Sequence, residues 1–313
     1  MKVLISDKNI HPEAIDLLKN AGFAIAYAKS TDLLEDGNAE KLEEANTLVI
    51  RYSTKIDKGV LKRAKNLKSI ITCSAGTDHI DINTCAKKGV KVYSSPGANA
   101  NAVAEHTVAL ILSVLRKVHH ADKHVRDGKW SRENFLSYEL HGKTLGIIGF
   151  GTIGKMVAKK MYGFGMKMIA YDPLLTRKQI EHADGFEHMG IKKISRLDDL
   201  IKSADVITIH VPLNPSTRKM ISKKQFEIMK PNAVLINTSR GAVVDEKALA
   251  RSLKEGKIHG AGLDVFEKEP PENAELLNLP DTILTPHIAT MTEQAVKNMS
   301  IQAVETFLRN INK

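Results

Sequence analysis

The run Gly149-Phe-Gly151-Thr-Ile-Gly154 constrains this chain more than any other stretch. It follows a short apolar segment, Leu145 to Ile148, that reads as a buried parallel strand. It precedes Lys155-Met-Val-Ala-Lys-Lys-Met161, which starts a helix. Strand, glycine turn and helix in that order turn a bare G-x-G-x-x-G into a dinucleotide fingerprint. Gly149 permits the tight turn, Gly151 lets a pyrophosphate approach the backbone, and Gly154 lets helix and strand pack closely. The helix N-terminus adds N–H donors and partial positive charge for the phosphates. A glycine turn also occurs where a helix simply packs on a sheet. Here a second strand, Lys167 to Tyr171, follows and ends at Asp172. A carboxylate about 20 residues past the glycines takes the hydroxyls of an adenosine ribose and repels a 2′-phosphate, so NAD is expected rather than NADP.

The 313 residues suffice for about two domains, and 42% hydrophobic with 26% charged residues describes an ordinary globular chain. No apolar run is long enough for a membrane span. The N-terminus reaches Asp7 too soon for a signal peptide, and Cys73 and Cys85 alone provide neither a disulfide framework nor a zinc pattern, so no metal and a cytoplasmic setting are expected. The net charge of +10 raises the question of nucleic acid. The lysines are scattered along helices and only 5% of residues are aromatic, so a solvated surface that steers anions fits better.

Up to Tyr93 the chain alternates strands and helices: strands at Val3 to Ser6, Ala24 to Tyr27, Thr47 to Arg51, Ser69 to Thr72 and Val90 to Tyr93. Such alternation means a parallel sheet covered on both faces. Pro96-Gly97 breaks the pattern, and one long helix is expected from Ala102 to Asp127. Its apolar half, Val108 to Leu115, suits a helix buried between domains or subunits. Strands then recur at Val206 to His210, Ala233 to Asn237, Ile258 to Leu263 and Ile283 to Thr285, and a last helix runs from Glu293 to Ile311.

Three loops after these strands each bring one reactive side chain: Arg240 in Asn237-Thr-Ser-Arg240-Gly241, Glu269 in Asp264-Val-Phe-Glu-Lys-Glu269-Pro270, and His287 in Thr285-Pro-His287. Ligands of open α/β sheets bind beyond the carboxyl ends of strands, so the three can converge beside a nicotinamide. Hydride transfer from an alcohol carbon needs a base for the hydroxyl proton, and histidine is poised for it near neutrality. A carboxylate bonded to the imidazole holds its tautomer and favours its protonated form. An arginine clamps a substrate carboxylate with two parallel bonds. Singly, each is an ordinary loop residue; behind a dinucleotide unit the set points to a dehydrogenase.

The ordered motifs Ala75-Gly76-Thr-Asp78-His-Ile-Asp81, Asn101-Ala-Val-Ala-Glu-His106, the fingerprint, His210-Val-Pro-Leu213, Asn237 to Gly241, Gly262-Leu-Asp264-Val-Phe and Thr285-Pro-His287 resemble those of the D-isomer-specific 2-hydroxyacid dehydrogenase family over nearly the whole chain. The resemblance implies an α/β fold of two Rossmann/flavodoxin-like, doubly wound parallel-sheet lobes with a cleft between them. Residues 1–97 and 288–313 then form the substrate lobe, and 98–287 the NAD-binding lobe. It implies Arg240 as the substrate-binding arginine, Glu269 rather than Glu267 as the partner of the histidine, and His287 as the acid/base. Cofactor contacts are expected from Gly149, Gly151, Thr152, Ile153, Gly154, Asp172, His210, Val211, Pro212, Thr238, Ser239, Arg240, Asp264, His287 and Ala289. Substrate contacts are expected from Arg51, Ser74, Ala75, Gly76, Arg240 and His287. A homodimer is expected too, with Val108 to Leu115 as a buried element.

Two stretches, Arg51-Tyr-Ser-Thr-Lys55 and Asp127-Gly-Lys-Trp130-Ser-Arg132 with Glu139-Leu-His-Gly-Lys143, resemble the branch that oxidises 3-phospho-D-glycerate to 3-phosphohydroxypyruvate at the entry to serine synthesis. Arg51 then meets the substrate phosphate. Tyr52 stands where that branch usually has serine, and Ala75-Gly76-Thr77 is closer to glyoxylate and hydroxypyruvate reductases, the alternative activity. A non-catalytic NAD-sensing scaffold, also known on this fold, has no chemical need for Arg240, Glu269 and His287. The chain stops after the helix that returns to the first lobe, so feedback inhibition by serine through an added module is not expected.

Overall fold

The computed structural model describes residues 1–311; Asn312 and Lys313, the end of the expected 288–313 segment, lie outside the described residues. The chain folds into two compact units, one from Met1–Asn99 plus the chain from Thr290 onward, the other Ala100–Ala289.

The first unit is built on β1 (Lys2–Ile5), β2 (Ala24–Tyr27), β3 (Thr47–Ile50), β4 (Ser69–Thr72) and β5 (Lys91–Tyr93). They pair in parallel in the order β2-β1-β3-β4-β5, a flavodoxin-like sheet whose order reverses between β1 and β3. Because side chains alternate across a strand, Leu48, Ile50 and Ile70 feed one core while Val49 and Ile71 feed the core on the opposite face. Helices α1 (Pro12–Asn20), α2 (Ala39–Glu44), α3 (Lys58–Arg63) and α4 (Ile82–Lys87) cover the sheet. Asp57 and Asp81 cap α3 and α4 by accepting from Val60 N and Thr84 N. The last helix, Glu293–Ile311, completes this unit: Phe307 is buried with ring centroids 5.6 Å from Phe23 and 5.4 Å from Tyr93.

The second unit starts with two helices where one was expected. Helix α5 (Ala100–Leu115) ends just before Lys117, whose φ of 51° is left-handed, and a separate helix α6 (Val118–Arg126) follows. The helical pattern of the sequence runs through this break, so periodicity does not reveal it. Packing does: nine residues of α5 are buried and none of α6. The apolar face of α5 packs on its own unit, with Leu110, Ile111 and Val114 joining Leu145, Val157 and Val234 in one core.

Beyond α6 the order is β6 (Thr144–Ile148), α7 (Thr152–Tyr162), β7 (Lys167–Tyr171), α8 (Arg177–Glu181), β8 (Lys192–Lys193), α9 (Leu197–Ser203) and β9 (Val206–Ile209). Then come α10 (Lys223–Ile228), β10 (Val234–Asn237), α11 (Glu246–Lys254), β11 (Gly260–Leu263), α12 (Ala274–Leu277) and β12 (Thr282–Leu284). The seven parallel strands lie in the order β12-β11-β10-β9-β6-β7-β8. From β6 the chain winds outward one way to β8, then returns to β9 and winds the other way to β12, so the topological switch lies between β6 and β9. No helix of the described residues is long and apolar enough to cross a membrane.

Candidate active site

The fingerprint turn sits at that switch. Ile148, the last residue of β6, accepts the His210 N–H at 2.7 Å, and the Gly149 N–H reaches Tyr171 O at 2.9 Å. Gly149 has φ 89°, and a Cβ there would lie 2.5 Å from His210 O. A Cβ on Gly154 would lie 2.2 Å from Gly149 O. Those two glycines are demanded by the chain's own packing. Gly151 is different: nothing lies within 4 Å of a Cβ built on it. The space a side chain would fill is open for a group arriving from outside, directly at the N-terminus of α7. No side chain among the described residues caps that helix, so its first-turn N–H groups, at Thr152, Ile153 and Gly154, face this opening with the positive end of the helix dipole.

Asp172 follows β7 and is tied to the turn. Its Oδ2 accepts the Phe150 N–H and its Oδ1 the Leu174 N–H, both at 3.0 Å. His210 follows β9. Burial pushes its imidazole down to about 3, so the ring is neutral, and neither ring nitrogen has a hydrogen-bond partner among the described residues. Val211 walls the turn, with Cγ1 2.9 Å from where a Gly149 Cβ would sit, and Pro212 O accepts the Thr217 hydroxyl at 2.6 Å.

Asn237, buried at the end of β10, shapes the loop that follows. Its Oδ1 accepts from Ser239 N at 3.0 Å and Ser239 Oγ at 2.8 Å, and its Nδ2 donates to Arg240 O at 3.0 Å. The half-buried Arg240 guanidinium donates to Ser239 O at 2.7 Å. Gly241 then presses on the next loop so closely that a Cβ would lie 1.8 Å from Phe266 C.

That next loop supplies the carboxylates. Glu269 Oε2 lies 2.8 Å from His287 Nδ1, and its Oε1 accepts the Phe266 N–H at 3.2 Å. Burial alone would raise the Glu269 carboxyl; the bonds from His287 and Phe266 more than offset it and hold the group below the usual carboxylate range. Glu267 turns elsewhere, lying 3.5 Å from Lys219 Nζ and accepting the Glu246 N–H at 3.2 Å.

His287 has φ 55°, a left-handed conformation that costs a non-glycine residue about 1–2 kcal/mol. The surrounding bonds hold it. Asp264, fully buried, accepts the Thr285 hydroxyl at 2.6 Å and the Ile288 and Ala289 N–H groups at 2.9 Å each. Burial would raise the Asp264 carboxyl, but these donors and the nearby His106 imidazole keep it below its ordinary range and so ionised. The Ala289 N–H, placed by sequence among the cofactor contacts, is thus already bonded to Asp264.

In the first unit Arg51 directly follows β3, beside the switch between β1 and β3. It is only 2% exposed, yet among the described residues its guanidinium meets no carboxylate. It donates to Met291 Sδ at 3.6 Å and lies 5.8 Å from the Tyr52 ring centroid. Ser74, after β4, donates from Oγ to Gly76 O at 2.8 Å and folds Ser74-Ala75-Gly76 into a turn. The cavity of about 870 Å³ lined by Lys219, Asp245, Glu246, Arg251, Glu267 and Glu272 contains neither the fingerprint nor Arg240 or His287. Asn237, His106 and Thr107 had no role in the sequence reading, although each lies inside a quoted motif or next to one; their contacts appear only in three dimensions.

Residues 108–289 match the NAD binding domain of the D-isomer specific 2-hydroxyacid dehydrogenases. The chain is 41% identical over 297 residues to D-3-phosphoglycerate dehydrogenase of Methanocaldococcus jannaschii, covering 95% of this chain and 55% of that enzyme; it spans about half the length of that relative. It is 45% identical over 269 residues to glyoxylate reductase of Thermococcus litoralis, covering 83% of this chain and 79% of the other. D-lactate dehydrogenase of Aquifex aeolicus, solved with NAD and lactic acid, superposes with a TM-score of 0.85 at 31% identity over 99% of this chain and 95% of that one. The chain belongs to the NAD-dependent, D-isomer specific 2-hydroxyacid dehydrogenase family, and its second unit carries that family's NAD-binding domain.

Proposed function

We propose that this protein oxidises a phosphorylated D-2-hydroxy acid, 3-phospho-D-glycerate, to 3-phosphohydroxypyruvate. The single observation that carries the dehydrogenase reading is the 2.8 Å pair of His287 Nδ1 and Glu269 Oε2, in loops at the carboxyl ends of the fingerprint sheet. An ionised Glu269 only accepts, so Nδ1 carries a proton and Nε2 is the nitrogen that exchanges one with substrate. NAD, held by the α7 N-terminus and Asp172, supplies the hydride acceptor when bound. His287 Nε2 takes the hydroxyl proton as the C2–H bond breaks and the C2–O bond becomes a carbonyl. In reduction the imidazolium returns that proton. Arg240 binds the substrate carboxylate and aligns C2.

Arg51 supports the phosphorylated substrate. A buried guanidinium without a carboxylate is costly unless an anion joins it. A relative at 45% identity named glyoxylate reductase, together with Ala75-Gly76-Thr77, supports the second reading, reduction of glyoxylate or hydroxypyruvate. One comparison separates them: NADH formation from 3-phosphoglycerate beside NADH oxidation with glyoxylate, hydroxypyruvate and 3-phosphohydroxypyruvate. Preference for the phosphorylated pair is expected. Arg51→Ala should raise KM for that pair about 10–100-fold, the worth of one charge-assisted hydrogen bond, while leaving glyoxylate turnover within about threefold. Equal or better use of unphosphorylated acids, with Arg51→Ala silent, overturns the phosphoglycerate assignment.

The apolar face of α5 packs within its own unit, and the stretch that follows it offers a further surface for the proposed homodimer. Val118, Val125, Trp130 and Leu136 are 50%, 55%, 79% and 87% exposed within one short stretch of that unit. Apolar side chains concentrated this way mark an association surface. Light scattering should read twice the chain mass, and Trp130→Glu with Leu136→Glu should halve it. A monomeric parent chain sinks the dimer.

A further inference from the structure

We propose that His106 and Thr107, successive residues of α5, are positioning residues for the loops that carry His287 and Arg240. What those loops do rests on the dehydrogenase reading above; that the two residues hold them rests on geometry.

His106 Nε2 lies 3.0 Å from Thr285 Oγ1 and 3.4 Å from Asp264 Oδ1. Thr285 has one hydroxyl proton, which goes to Asp264 Oδ1 at 2.6 Å. Its oxygen must therefore accept from His106, so Nε2 carries a proton and is the donor. The chain of bonds runs His106 to Thr285 to Asp264, and Asp264 in turn holds the Ile288 and Ala289 amides. His287, with its left-handed backbone, lies inside the clasped segment. Thr107, fully buried, works on the other loop. Its hydroxyl donates to Val103 O at 2.8 Å, so the Thr238 hydroxyl at 2.9 Å must be the donor to it. Thr238 stands two residues before Arg240.

The seating of α5 makes both reaches possible. His106, Leu110 and Val114 recur at the four-residue spacing that shares one helix face. That face meets β11 at two glycines: a Cβ on Gly262 would lie 3.0 Å from Leu110 Cβ, and one on Gly260 2.8 Å from Val114 Cγ1. The helix lies close on the sheet there and delivers His106 and Thr107 to the carboxyl ends of β12 and β10. One rigid helix thus sets the placement of both proposed functional loops.

The test compares His106→Phe, which keeps a flat ring but loses the donor, with His106→Gln, whose amide returns an N–H near the Nε2 position, and with Thr107→Val. Three measurements are made on the whole chain: kcat and KM for the best 2-oxoacid, NADH affinity by fluorescence, and amide hydrogen exchange. His106→Phe is expected to lower kcat about 10–50-fold, as for a sub-ångström to ångström displacement of a reacting group, with NADH affinity within about twofold. Exchange in the peptide spanning 285–289 should speed up while α5 and β6 keep their protection. His106→Gln should recover kcat to within about threefold of the parent. Thr107→Val should place its loss in KM, because the Arg240 loop is the one released. Parent-like kcat and parent-like exchange in His106→Phe overturn the proposal. So does equal damage in the Phe and Gln variants with protection lost throughout α5, which would make His106 plain packing. A parent chain that turns over no 2-hydroxy or 2-oxo acid refutes the dehydrogenase reading instead, and the exchange comparison still decides whether His106 clasps the loop.

Discussion

His287→Asn is expected to lower kcat roughly 10²–10⁴-fold in both directions, the range a positioned general acid–base supplies. Asparagine fits the loop and tolerates a left-handed φ better than most residues, so the 55° backbone of position 287 is preserved and the loss reports chemistry. Glu269 stays ionised to below the ordinary carboxylate range because His287 and Phe266 bond it, offsetting burial. Its charge, and the support it gives the imidazole, is therefore lost only as pH falls through that lowered range. A variant that keeps the parental rate would assign the proton transfer to another group.

Arg240→Met removes the proposed bidentate partner of the substrate carboxylate. The expected loss in kcat/KM is about 3 kcal/mol or somewhat more, roughly 10²–10³-fold, as for truncating one member of a desolvated charge pair. Arg240→Lys should recover only part of it, because an ammonium cannot present two parallel N–H groups. The loop itself should survive, since Asn237 shapes it through the backbone and Ser239 rather than through the guanidinium. Unchanged kcat/KM in Arg240→Met would take this residue out of the site.

Much of the fold was legible along the chain, and the reason is local. Leu145 to Ile148, the three glycines and Asp172 state strand, turn, helix and second strand within about 28 residues. Strands β2, β4 and β7 and the last helix carry their limits in apolar runs and flanking breakers, and the structure gives them the same bounds the sequence reading expected. The break at Lys117 was not legible, because helical spacing continues through it. Nor were the short helices α8, α9, α10 and α12, whose few turns leave little periodicity to read.

By itself the sequence determined the kinds of groups available: a dinucleotide turn, an acid after the second strand, and an arginine, a carboxylate and a histidine in three loops beyond strands. Turn chemistry and strand periodicity act over a few residues, so those features are written where they occur. Only the tertiary structure decided which groups meet. It turned Glu269 to His287 and Glu267, two residues away on the same loop, to Lys219. It buried Arg51 with no carboxylate beside it among the described residues, a state no neighbour in sequence announces. It carried His106 to Thr285 across 179 positions of chain. Contacts of that kind depend on how closely α5 lies on β11 and on the order of seven strands, and that order arises from packing the whole sheet rather than from any one segment of it.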